Sequence, residues 1–222
     1  MEPKPVRIEV GTQAVSGLML RPPAAKALFL FAHGAGAGMH HQAIASNAEG
    51  LAARGIATLR YQFLYMEKGS KRPDGPKLAH AVVCAAAARA VELAPELPLF
   101  AGGRSFGGRM TSQAQAEEPL PGVKGLAFLG FPLHPAGKPG IDRADHLTCI
   151  KIPMLFISGS RDALAEMDLL QPVISDLGDR ARLHTVDQAD HSFKVAKKSG
   201  RSSADAEVEA LDALDGWVSS LL

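Results

Sequence analysis

After an opening hairpin, this chain alternates strand-like and helix-like segments six times, and few architectures accept that rhythm. Val6–Val10 and Val15–Leu20 alternate apolar and polar residues around a Gly-Thr-Gln turn, the pattern of an antiparallel pair. Ala27–Ala32 (A-L-F-L-F-A) is then apolar throughout, as a strand covered on both faces must be. Strand-like runs recur at Ile56–Tyr61, Leu97–Ala101, Val123–Leu129, Met154–Ser158 and Arg182–Val186. Helical spacing occupies Gln42–Arg54, Lys77–Leu93, Phe106–Glu117, Leu164–Leu177 and Ala204–Leu222. The expectation is an α/β fold: a mostly parallel sheet with helices on both faces. With 222 residues and no composition break or repeat, the chain is read as one domain over 1–222.

The helix faces expected to pack are Ile44, Ala48, Leu51 and Ala52 in the first helix, and Leu78, Val82, Ala85, Ala86 and Arg89 in the second. In the last two they are Met167, Leu170, Ile174 and Leu177, then Val208, Leu211, Leu214, Val218 and Leu221. Gln62–Pro76 reads as a loop, and Gly130–Leu147, with three prolines, as irregular.

A net charge of +1 gives no global field toward nucleic acid or an anionic membrane. Lys194, Lys197, Lys198 and Arg201 form the densest basic cluster, read as a solvated face with partner or substrate contact as the alternative. Cys84 and Cys149 read as small buried thiols, and two cysteines do not suggest a disulfide-stapled secreted fold. The N-terminus lacks a signal-peptide pattern, and no run approaches the ~20 apolar residues of a membrane span. The expected setting is cytoplasmic, with monomer and homodimer both open.

The chemistry-bearing run is Gly103-Arg104-Ser105-Phe106-Gly107, between an apolar strand and a helix. A G-x-S-x-G run in that context can form a nucleophile elbow, a tight turn with an exposed serine hydroxyl, although glycine and serine are also common in ordinary turns. A serine needs an imidazole to take its proton, and the imidazole needs a carboxylate to fix its tautomer. Ligands of an open parallel sheet bind beyond the carboxyl ends of its strands. Ser105, Asp162 and His191 each follow such an end, in the order serine, acid, histidine. Ser105 as an ordinary turn serine, Asp162 as a helix cap and His191 as a surface histidine are the plainer alternatives. Asp187 is a rival acid, whereas Asp190 adjoins His191 and reaches poorly behind its ring. His80 and His184, inside a helix and a strand, are poor bases.

His33-Gly34-Ala35-Gly36-Ala37-Gly38 follows the first buried strand. A tetrahedral intermediate needs preorganised N–H donors, and this loop supplies one, expected at Ala35, with Phe106 N–H as the second. A phosphate-binding glycine loop is the rival reading, weakened because no Lys-Ser/Thr ends it. His33 itself is expected to be structural.

These segments, F-A-H-G-A-G-A-G-M, G-G-R-S-F-G-G-R, G-F-P-L-H-P-A-G-K-P and F-I-S-G-S-R-D, resemble the α/β-hydrolase superfamily over nearly the whole chain. More narrowly they resemble the small dienelactone-hydrolase-like predicted hydrolases, related to the hydrolase-like domain of a nonspecific-lethal chromatin-complex subunit. The resemblance implies an eight-stranded sheet with its second strand antiparallel to the rest. The interval Gly130–Pro153, where larger members carry a cap domain, is too short for a helical one. An open cleft is expected, walled by Phe131, Pro132, Leu133 and His134 with Phe63, Leu64 and Tyr65 opposite, unless those residues simply pack the loops. Arg104 either meets an anionic or carbonyl group of the substrate or pins the 130–147 loop through Asp142 or Asp145. Arg109 is expected to be structural.

The combined expectation is a serine hydrolase acting on small or accessible acyl esters, with neither metal nor cofactor. A thioesterase or peptidase would use the same parts. A fold-retaining interaction module without turnover is the reading from another class, and a membrane-associated lipase the third.

Overall fold

The computed structural model describes residues 1–196 and 200–222. Eight strands form one sheet: β1 (Lys4–Val10), β2 (Gln13–Leu20), β3 (Ala27–Ala32), β4 (Ile56–Tyr61), β5 (Leu99–Arg104), β6 (Val123–Leu129), β7 (Met154–Gly159) and β8 (Ala181–Val186). Their order is β1-β2-β4-β3-β5-β6-β7-β8. β2 runs antiparallel to both neighbours and all other pairings are parallel, so β2 alone opposes the rest.

Among the described residues, six α-helices cover the sheet: α1 (Gln42–Ala53), a single turn α2 (Leu64–Glu67), α3 (Pro76–Leu93), α4 (Phe106–Glu117), α5 (Met167–Leu177) and α6 (Ser203–Ser219). The strand period of two sorts the core between them. Leu28, Leu30 and Ala32 of β3 join one cluster with residues of α3, α4 and α5. Ala27, Phe29 and Phe31 join the other with residues of α1 and α6. Every residue of β3 is thereby buried.

This topology prepares a site. From β3 the chain leaves through α1 over one face, and from the adjacent β5 it leaves through α4 over the other. The connections diverge at the carboxyl ends of β3 and β5, the switch point where α/β sheets open a crevice. The glycine-rich loop and Ser105 lie there.

Several packing details differ from expectation. In α3 the buried face is Ala79, His80, Val82, Val83, Ala86, Ala87 and Ala90, while Leu78 is exposed and Arg89 half-buried. In α6, Val208 is exposed, and Ala206, Ala210 and Trp217 are buried beside Leu211, Leu214 and Val218; Leu221 lies beyond the helix end and is exposed. α5 starts at Met167 rather than Leu164, and α2 interrupts the 62–76 loop. Cys149 is exposed, not buried. The 130–153 interval holds a 3-10 helix (Asp142–Cys149) and no cap. Among the described residues, no helix is long and apolar enough to cross a membrane.

Candidate active site

Ser105 sits between β5 and α4 with φ 50° and ψ −116°, a strained conformation for a residue with a side chain. The turn closes only because its neighbours are small. A Cβ on Gly107 would lie 2.5 Å from the His33 carbonyl oxygen, so β3 and the start of α4 could not approach as they do. Ser105 N–H donates to Leu129 O at 3.2 Å, fixing the turn against β6.

Three side chains from three strand ends meet at this turn. His191 Nε2 lies 2.8 Å from Ser105 Oγ. His191 Nδ1 lies 2.8 and 3.0 Å from the two carboxylate oxygens of Asp162. An ionised carboxylate only accepts, so Nδ1 carries the proton and Nε2 offers its lone pair to the serine. The Asp162 side chain is fully buried, whereas the His191 side chain is 21% exposed, leaving water a route to the ring. Asp162 Oδ1 also accepts from Leu164 N–H at 2.8 Å, so the carboxylate orients the histidine and caps the following turn.

The rival acids are occupied elsewhere. Asp187 Oδ1 accepts from Ser160 Oγ at 3.1 Å. Asp190 Oδ1 accepts from the N–H groups of Ser192 and Lys194, at 2.8 and 2.9 Å, and so shapes the histidine loop. His80 and His184 pair with Glu117 and Glu209, away from the serine.

The glycine-rich loop runs beside the serine: a Cβ on Gly34 would lie 3.8 Å from Ser105 Cβ. Gly34, Ala35 and Ala37 line the same cleft as Ser105 and His191. Phe106 opens α4, where first-turn N–H groups have no acceptor within the helix. His33 anchors the loop. Phe63 N–H donates to its Nε2 at 3.2 Å, so Nδ1 bears the proton and donates to Gly34 O at 2.8 Å. Burial drives the His33 pKa down to about 4, opposed by the bond to Gly34. Tyr65 adds a second anchor, its hydroxyl accepting from Gly36 N–H at 3.3 Å.

The cleft itself lies on the α1/α6 side. It has a volume of about 750 Å³, and beyond the residues above it is lined by His41, Ala43, Ile44, Ser192, Lys194, Val195, Ser203, Ala204 and Glu207. That corrects the expected walls. Phe131 is buried among Phe128, Phe156 and His146, filling the core beneath the site. His134 is 2% exposed, with its ring held by Glu166 and by Pro135 O. Phe63 is wholly buried, its ring against His33, Tyr61 and Phe106, and so supports the glycine-rich loop from within. Leu133, Leu64 and Tyr65 are also buried.

Arg104 lines the cleft but is bound to it. Nη1 donates to Asn47 Oδ1 at 3.2 Å, Nη2 donates to Ser192 O at 2.7 Å, and Glu207 lies 3.7 Å away. Neither Asp142 nor Asp145 is its partner, so the expected link to the 130–147 loop is replaced by one to the histidine loop. Burial lowers the Arg104 pKa, and the charge of Glu207 opposes the shift. Arg109 has a buried Nε without a partner. Of the basic cluster, Lys194 reaches the cleft and Arg201 pairs with Glu209 at 2.5 Å, while Lys197 and Lys198 lie outside the described residues.

Wall residues from α1 and α6 were missed by sequence reasoning. The available signal was positional: α1 directly follows the glycine-rich loop, and α6 is the first helix after His191.

The sheet order, the strained serine at a strand-to-helix turn and the absence of a cap define a compact α/β fold of the hydrolase type. A family model for the alpha/beta hydrolase domain matches residues 25–219, and the chain belongs to that family. Solved structures with the same fold include a dienelactone hydrolase from Anabaena variabilis, 24% identical, covering 100% of this chain and 97% of that one, with a TM-score of 0.74. A lidless α/β serine hydrolase from Xanthomonas campestris is 18% identical, with coverage of 98% and 95% and a TM-score of 0.75. An esterase domain of a Rhodothermus marinus protein is 20% identical, with coverage of 98% of both chains and a TM-score of 0.72.

Proposed function

We propose that this protein is a serine hydrolase that cleaves small or accessible acyl esters through an acyl-enzyme. The observation that carries the reading is the continuous hydrogen-bonded line from Ser105 Oγ through His191 to the buried carboxylate of Asp162, at 2.8 Å on each side of the ring. Esterases and a dienelactone hydrolase among the solved structures of this fold agree with ester chemistry.

In this reading Ser105 Oγ attacks the acyl carbon as His191 Nε2 takes its proton, and Asp162 stabilises the imidazolium. The oxyanion is met by the N–H groups of Ala35 and Phe106. Collapse releases the alcohol, protonated by His191. Water, activated by the same ring, then frees the acid and returns Ser105. Nothing in this cycle calls for a metal or an organic cofactor, and the partner is a small acyl substrate.

A fluorophosphonate probe tests the proposal. It should label the wild type and leave Ser105→Ala unlabelled. An unlabelled wild type would refute the enzyme reading, and labelling that survives the substitution would refute Ser105 as nucleophile. Hydrolysis of a graded series of esters, thioesters and amides then selects the acyl class.

A further inference from the structure

The geometry points to Arg104 as a positioning residue that locks the general base to the nucleophile. This rests on the catalytic assignment above and extends it to a residue that touches no reacting atom.

Arg104 immediately precedes Ser105 at the end of β5, so its backbone moves with the nucleophile. Its Nη2 donates at 2.7 Å to the carbonyl of Ser192, the residue directly after His191. The guanidinium also lies over the ring of Phe193, 5.3 Å from its centroid. One side chain thereby grips two successive residues of the histidine loop from the strand that carries the serine. That loop needs a grip. Phe193 has φ 59°, a conformation costly for an aromatic residue, and must be held there by its surroundings.

The guanidinium is itself fixed. Asn47 of α1 and Glu207 of α6 hold it from the two helices that flank the cleft. Arg104 is only 9% exposed, and a charge so far out of water is costly unless paired. An apolar side chain would fill the space without that cost, but could not hold the Ser192 carbonyl. With its donors committed to Asn47 and Ser192, Arg104 is poorly placed to act as a substrate-binding cation.

The test compares Arg104→Met and Arg104→Lys with wild type on one neutral ester. Misplacing a catalytic group by about 1 Å costs on the order of 100-fold in rate. Arg104→Met should therefore lose roughly 10- to 100-fold in kcat, with KM changed less than about threefold. The fluorophosphonate labelling rate should fall in parallel. The downfield proton signal of His191 Nδ1–H, sharp in the wild type, should broaden or vanish. Arg104→Lys should recover part of kcat, because an ammonium reaches one partner but cannot span two. Wild-type kcat in folded Arg104→Met overturns the inference. So does a loss confined to KM, which would make Arg104 a substrate-binding group. Should the Met variant fail to fold, Arg104→Lys decides alone, and wild-type kcat there overturns the inference. Failure of Ser105→Ala to abolish labelling would instead overturn the underlying catalytic reading.

Discussion

Lowering the pH should remove a specific part of this protein's stability through His33. Its folded pKa is about 4, because the ring is completely buried and Nε2 is committed to accepting from Phe63 N–H. In the unfolded chain the same ring titrates near the ordinary value of about 6.5. As pH falls, the unfolded state therefore takes the proton first. The contribution is whole above about pH 6.5 and is lost progressively down to about pH 4. At about 1.4 kcal/mol per pH unit, the full loss is about 3 kcal/mol.

His33→Asn isolates this term. The amide retains a donor for Gly34 O but leaves the Phe63 N–H without an acceptor, at a cost of about 1–3 kcal/mol near pH 7.5. It cannot titrate. Urea denaturation of both proteins from pH 7.5 to 4.5 should show the wild type falling more steeply, the gap between them narrowing by about 2 kcal/mol. Other acid-labile groups, including His146, contribute to both curves and cancel in the difference. A gap that stays constant across the range would refute the buried, neutral His33 on which the anchoring of the glycine-rich loop depends.

Two further substitutions probe the geometry around the base. Asp162→Asn keeps an acceptor for Leu164 N–H but no longer enforces the His191 tautomer, so kcat should fall by about 10³- to 10⁴-fold with the melting temperature little changed. A large loss of stability with modest loss of kcat would contradict it. Gly130→Ala places a Cβ at φ 72°, 3.1 Å from His191 O and 3.3 Å from ring Nδ1. Backbone strain of about 1–2 kcal/mol should lower the melting temperature, and kcat should drop by roughly tenfold or more as the ring is displaced. Unchanged kcat would show that the histidine loop absorbs the clash.

The fold was legible where local pattern and tertiary demand coincide. Ala27–Ala32 is apolar throughout because both of its faces are covered, and Phe106–Glu117 is helical over the bounds its sequence suggests. The helix faces were less legible. α3 contains A-H-A-V-V-C-A-A-A-A-R-A, and a surface so uniformly small and apolar does not fix its own rotation. Packing chose Ala79, Val83 and Ala87 over Leu78, since small residues let the helix lie close to the sheet. In α6 the seam is set by Ala206, Ala210, Leu211, Leu214, Trp217 and Val218, and Val208 falls outside it.

The site divides along a similar line. That Ser105, Asp162 and His191 come together could be anticipated because each follows a strand end, and strand ends are local features of the sequence. The cleft could not, because its walls depend on which face of the sheet a side chain meets. Arg104 shows what was missing. Phe100, four residues earlier on β5, packs in the cluster shared with α1 and α6. Period-two alternation carries that direction from Phe100 to Arg104, toward Asn47 and Glu207 and away from the 130–147 loop. Phe131 and His134 were expected to wall the cleft because the interval that holds them is too short for a cap, yet both are buried. Strand parity thus separates the two halves of the candidate site: the proposed triad follows from where strands end, and the lining of the cleft beside it from which way the last residue of β5 points.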